Sequence, residues 1–142
     1  MGQIKYLLDS NILSEPARLI PDGTVLQQFA THDGEYATAA IVWHELLYGC
    51  ELLAVSKRKK HLQSYLEMLL DNGLTILPYD LASASWFAKQ RAKLDREGKT
   101  CAYADGEIAA IAATQNLILV TRNLKDFENF EGLLLESWFV VL

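Results

Sequence analysis

Apolar positions along this chain fall into two spacings, short unbroken runs and helical repeats. The runs are Ile4-Lys5-Tyr6-Leu7-Leu8, Glu35 to Thr38, Leu74 to Leu77 and Leu117 to Thr121. Runs of this length predict buried strands. Between them the spacing predicts helices. One passes through Val25, Leu26 and Phe29 after the turn Pro21-Asp22-Gly23. Another spans Ala39 to Leu53, with Ile41, Val42, Leu46 and Leu53 apolar. A third carries Leu62, Tyr65, Leu66, Leu69 and Leu70 at the i, i+3, i+4, i+7, i+8 positions and ends at Asn72-Gly73, where glycine accepts the left-handed conformation. Asp80 is suited to N-cap a helix running through Trp86, Phe87 and Leu94 to Glu97, stopping at Gly98. Ala104 to Gln115 reads as a compact alanine-rich helix. Leu133 to Leu135 and Phe139 to Leu142 are expected as edge strands. Strands alternating with helices predict an α/β sandwich with a mostly parallel core.

No repeat, low-complexity tract or Pro/Gly-rich linker interrupts the 142 residues, so residues 1–142 are expected to form a single domain. A chain of this length buries roughly two-thirds of its unfolded surface. Apolar residues make up 51% and charged residues 22%, near the averages for globular proteins. No apolar stretch approaches the ~20 residues that span a bilayer, and Lys5 within the first run argues against a signal peptide. Cys50 and Cys101 have no metal-binding or redox spacing, which fits two thiols in a reducing compartment. The net charge of −5 speaks weakly against a nucleic-acid partner. A few carboxylates committed to a cation would cancel much of it.

The first strand stops at Asp9-Ser10-Asn11, three oxygen-bearing side chains in a row. In open α/β sheets ligands sit beyond the carboxyl ends of the strands. Two further acids interrupt apolar helices: Glu45 within Ile41–Gly49, and Asp105 at the opening of the alanine-rich helix. There the macrodipole favours an ionised carboxylate. Taken singly, each has a plain reading, as a turn residue, a solvated helix position and an N-cap. Clustered carboxylates raise one another's pKa unless a cation neutralises them, and Mg²⁺ or Mn²⁺ does so with oxygen ligands.

Other candidate groups are less compelling. His44-Glu45-Leu46-Leu47-Tyr48 places Tyr48 where a zinc-protease helix needs its second histidine, which excludes that chemistry. His44 reads as a helix-surface residue. His32 and His61 have no ligand spacing. Lys57-Arg58-Lys59-Lys60 could grip phosphates, although a solvated helix start is the plainer reading. Arg91, Lys93, Arg96, Lys99 and Arg122 are scattered candidates for backbone contacts. Trp43, Trp86 and Phe87 sit at helical spacing that suits core packing better than base stacking. Glu107 is expected to face away from Asp105.

The segments LLDSNILSE, VWHELLYG, YADGEIAAIA and LILVTRNLKDF, in this order, resemble the PIN domain, in particular the toxin ribonucleases of bacterial VapBC toxin–antitoxin pairs. The likeness runs from Ile4 to about Phe127. It implies a three-layer α/β/α sandwich that cleaves RNA, such as tRNA or another structured RNA, with Mg²⁺ or Mn²⁺, leaving a 3′-hydroxyl and a 5′-phosphate. By the resemblance Asp9, Glu45 and Asp105 match the metal-binding acids, and Asn123 falls at the fourth position, where many relatives carry Asp. Asp126 is a water-mediated substitute, or simply an acid in a polar loop. Ser10, Asn11 and Arg122 become candidates to touch RNA. The resemblance also implies a homodimer, a small antitoxin that blocks the cleft, DNA contacted only through that antitoxin, and a cytoplasmic location.

Two rival functions remain open from the sequence. One is a phosphotransfer or hydrolase domain in which Asp9 itself is phosphorylated. The other is a non-catalytic PIN-like module, suggested by Asn123 in place of an acid.

Overall fold

Leu7 and Leu8, neighbours in the first strand, are both fully buried. Successive side chains of a strand point to opposite faces of its sheet, so this strand is covered on both sides. That is the signature of a parallel sheet held between helical layers. The computed structural model, which describes residues 3–140, has this architecture. The first strand, β1 (Tyr6–Leu8), is followed by a one-turn helix α1 (Ser10–Leu13), a 3-10 turn at Glu15–Ala17 and α2 (Gly23–Thr31). Then come β2 (Tyr36–Ala39), α3 (Ala40–Leu52), α4 (Lys57–Asp71), β3 (Thr75–Leu77), α5 (Leu81–Arg96), α6 (Tyr103–Thr114), β4 (Ile118–Val120) and β5 (Leu135–Glu136).

The sheet order is β3-β2-β1-β4-β5, with every pairing parallel. Leu119 and Val120 of β4 are as buried as their counterparts in β1, and Ala37 to Ala39 of β2 are buried without a break. The chain leaves β1 on one side to build β2 and β3, and places β4 and β5 on the other. The order therefore reverses between β1 and β4, and the crevice at such a reversal is where α/β sheets bind ligands. The Thr38 hydroxyl donates to the Leu8 carbonyl at 2.8 Å, tying β2 to the end of β1 just before Asp9.

Local chemistry sets the helix boundaries. Asp22, Ser56 and Asp80 each accept a backbone N–H as N-caps of α2, α4 and α5, satisfying donors that have no partner within the helix. Gly73 and Gly98, at φ of 82° and 72°, follow the ends of α4 and α5 as expected. α5 and α6 pack so closely at Gly106 that a Cβ there would overlap the Phe87 ring. The buried Trp138 stacks on His32 and meets Tyr6, Phe29 and Tyr36 edge-on, fastening the C-terminal segment to β1, α2 and β2.

The sequence reading departs from the structure at the ends of the chain. β5 is Leu135–Glu136, one residue beyond the expected Leu133 to Leu135 run, because Leu135 pairs in register with Leu119. Phe139 and Val140, expected in an edge strand, are not in one, and Phe139 instead takes the Arg122 guanidinium 4.4 Å over its ring. The remainder of that expected strand lies outside the described residues. Helix α1 and the 3-10 turn were not anticipated.

Candidate active site

Asp9 leaves the end of β1 with its backbone N–H bonded to the Val120 carbonyl at 2.9 Å, as though extending the ladder to β4. Asp9 is 7% exposed. Oδ1 accepts the Ser10 N–H at 2.8 Å, and Oδ2 accepts the Thr121 hydroxyl at 2.8 Å. Burial nonetheless pushes its pKa above the ordinary value. The two hydrogen bonds oppose that rise, while the charge of Asp126 adds to it. Thr121 was missed as a site residue, although a small polar side chain ending the apolar run Leu117 to Val120 was a usable signal.

Glu45 lies in the second turn of α3 and is half-buried. Burial raises its pKa, the Asp9 charge raises it further, and neighbouring His44 lowers it. Asp105 is the third residue of α6; Ala102, not Asp105, is the N-cap. Its pKa is pushed up to about 6, first by burial, then by the charges of Asp9, Asp126 and Glu45. The sequence offered two opposed effects for Asp105, a helix N-terminus that favours the carboxylate and clustered acids that raise its pKa. Burial and three neighbouring negative charges outweigh that helix-end effect, worth ~0.3–1 kcal/mol at an exposed site.

Asp126 ends the 3-10 turn Leu124–Asp126, and its charge acts on both Asp9 and Asp105. Asn123 behaves differently. Its side chain is exposed, and its hydrogen bond in the site comes from the backbone N–H, donated to Thr121 Oγ1 at 3.1 Å. Asp126 is thus the residue of this loop whose charge bears on Asp9 and Asp105. A cavity of about 200 Å³ adjoins the acids, with Asp105 and Asp126 in its wall.

Of the two residues after Asp9, Asn11 is engaged within the protein, while Ser10 contributes its backbone N–H to Asp9. Asn11 Oδ1 accepts the Arg122 N–H at 3.1 Å, lacing the loop after β1 to the loop after β4. His44 is exposed and stacked on Tyr48. Trp43 packs against the core, Trp86 against Phe130, and Phe87 is buried. Lys57 to Lys60 open α4 as a helix start. Glu107 is half-buried and its charge raises the pKa of Tyr79.

The donor set is all oxygen, which suits a hard divalent cation. Among the described residues the four acids form no salt bridge, and only His44, beside Glu45, and the hydrogen bonds to Asp9 offset their raised pKa values in part. Nor do three of them close into a tight cage among those residues. Mg²⁺ commonly keeps several waters and takes only one or two carboxylates directly, so an open, water-completed arrangement fits it. The acids are consistent with that group.

The comparisons agree with this geometry. The PIN domain family matches residues 6–133. Ribonuclease VapC2 of Haemophilus influenzae is 34% identical over 135 residues, covering 95% of this chain and 98% of that protein. The tRNA(fMet)-specific endonuclease VapC of Shigella flexneri is 30% identical with the same coverage. The crystal structure of VapBC2 from Rickettsia felis, bound to a DNA fragment from its promoter, superposes with a TM-score of 0.81 at 29% identity, covering 96% of this chain and all of that one. A parallel sheet reversing at Asp9, acids gathered at that reversal and a family match spanning most of the sequence lead to one conclusion: the chain belongs to the PIN domain family.

Proposed function

We propose that this protein is a divalent-metal-dependent endoribonuclease, the toxin of a type II toxin–antitoxin pair. One observation carries the reading: acids from four separate elements act on one another's charge where the sheet order reverses, and among the described residues none of them is held in a salt bridge. Asp9, Glu45 and Asp105 would hold Mg²⁺ or Mn²⁺, with Asp126 taking the fourth place expected of Asn123. When bound, such an ion supplies a hydroxide nucleophile near neutral pH and stabilises the charge building on the phosphate.

The chain's own residues do the rest. Asp9 is the fixed anchor, because both its oxygens are oriented by hydrogen bonds and each retains a lone pair for a ligand. That engagement argues against Asp9 as a free phosphate acceptor. With its pKa pushed up to about 6, Asp105 must lose its proton before it can hold the ion, which makes binding weaken as pH falls through that value. Attack at phosphorus breaks the bond to the 3′ oxygen, which leaves with a proton from solvent, giving a 3′-hydroxyl and a 5′-phosphate.

The substrate class rests on likeness to the Shigella flexneri relative, whose name specifies tRNA. The antitoxin, and promoter DNA reached through it, rest on likeness to the Rickettsia felis VapBC2 complex. A homodimer and a single domain belong to the same reading, as does a cytoplasmic site of action. Among the described residues no helix is long and apolar enough to cross a membrane. The test is cleavage of total tRNA by purified protein with magnesium or manganese. Wild type should cut, chelation should stop it, and Asp9→Asn should lose at least a hundredfold. Full activity in Asp9→Asn would overturn the mechanism.

A further inference from the structure

The cavity that shares Asp105 and Asp126 with the acids has a second half that the proposed chemistry leaves unused. There its wall is the buried Phe130, and its rim carries Thr100, Lys125 and Asn129. An apolar wall with a few convergent polar groups is the usual make-up of a small-molecule pocket. At about 200 Å³ it falls below the ~300 Å³ where drug-sized pockets begin, and far exceeds the ~30 Å³ of one water. That leaves room for one flat ring system and not for a whole nucleotide.

Thr100, Lys125 and Asn129 are exposed. Their side chains make no hydrogen bond or ion pair among the described residues, so all three are available. The Asn129 amide offers a donor and an acceptor, Lys125 a donor, and Thr100 a hydroxyl that can be either. Asp105 and Asp126 on the shared wall repel a phosphate but not a neutral ring. Sequence-specific RNA recognition works by splaying bases out of single-stranded segments and bonding their edges.

We propose that this cavity takes the base of a nucleotide flanking the scissile phosphate, seated against Phe130 and read at its edge by Asn129, Lys125 and Thr100. The proposal rests on the nuclease reading, and makes this pocket the part of the site that selects where RNA is cut.

Two measurements test it. In the first, wild type and the variants Asn129→Ala, Lys125→Ala and Ala102→Leu cut a randomised single-stranded RNA pool with magnesium or manganese, and the cut sites are sequenced. Ala102 lines the cavity, and leucine there would fill it. Wild type should favour one base at one flanking position by tenfold or more, falling below threefold in the variants. Slower cutting with the same preference would overturn the proposal, and so would wild-type cleavage with no preference. In the second, the four uncharged nucleosides are titrated by NMR in EDTA. Saturable shifts at Thr100, Asn129 and Phe130 are expected for the preferred base, and their absence for all four overturns the pocket. Base-selective binding without any RNA cleavage would instead sink the nuclease reading and leave the pocket standing.

Discussion

The Thr121 hydroxyl donates to Asp9 Oδ2 at 2.8 Å, linking residues 112 apart at the ends of the two strands that flank the reversal of sheet order. An ionised carboxylate can only accept, and Thr121 Oγ1 in turn accepts the Asn123 N–H. The hydroxyl proton is therefore committed to the carboxylate. It holds Asp9 in one orientation and offsets part of the cost of burying it.

Thr121→Val keeps the shape and removes that bond. Groups that orient metal ligands typically cost 10- to 100-fold in affinity or activity when lost. The expected outcome is a drop of that size in Mn²⁺ affinity by calorimetry, with a stability loss of about 1–3 kcal/mol for stranding a buried polar group. Thr121→Ser should recover most of both. Unchanged Mn²⁺ affinity in Thr121→Val would remove Thr121 from the site.

Asp126 and Asn123 compete for the fourth corner, and the two substitutions separate them. Asp126→Asn removes a charge that acts on Asp9 and Asp105, so it should weaken Mn²⁺ binding about tenfold or more, ~1.4 kcal/mol. Asn123→Ala leaves its backbone N–H on Thr121 and should change binding less than threefold. The opposite ranking would return the fourth place to Asn123.

Much of this was legible because it is local. The run ending at Asp9, the caps at Asp22 and Asp80, and the stop at Gly73 are each set by residues within a few positions. The three acids were visible as interruptions of apolar faces. What escaped depends on contacts between distant segments. Thr121 matters only because β4 lies beside β1, and Asp126, named from the sequence with a plainer alternative, gains weight only from its charge on Asp9 and Asp105. The raised pKa of Asp105 arises from burial and from neighbours on three other elements, which no helix-end rule can foresee. Phe139 lies past the two-residue pairing of β5 with β4, and its ring takes the Arg122 guanidinium instead.

The raised carboxyls give the metal-free protein a distinctive pH response. A group with a higher pKa folded than unfolded stabilises the native state below its unfolded pKa, and that stability is lost as pH rises through the folded value. For Asp105 the window runs from 3.8 to about 6, and Asp9 and Glu45 shift in the same direction. In EDTA, Asp105→Asn should therefore melt higher than wild type near neutral pH, with the gap closing toward about pH 4. Saturating Mg²⁺ should reverse the neutral-pH ranking, since only the acid can be neutralised by the ion. If wild type melts higher than Asp105→Asn at neutral pH without metal, the electrostatic account of the cluster fails.

Gly106 connects the packing of the helices to the position of Asp105 beside it. Helix propensity alone favours Gly106→Ala by ~1 kcal/mol. Against that, the new Cβ would land inside the ring of Phe87, which is 3% exposed, so the buried ring must move. Overpacking of this kind costs ~1–3 kcal/mol, and the depth of the overlap puts the cost at the upper end. Gly106→Ala should therefore lose stability in urea titration, and weaken Mn²⁺ binding as α6 moves. Phe87→Leu alone should also destabilise by leaving a void. Combined, the smaller ring-less side chain makes room for the methyl, so the double variant should be more stable than Gly106→Ala by itself. A coupling energy near zero would show that the α5–α6 contact does not hold Asp105 in place.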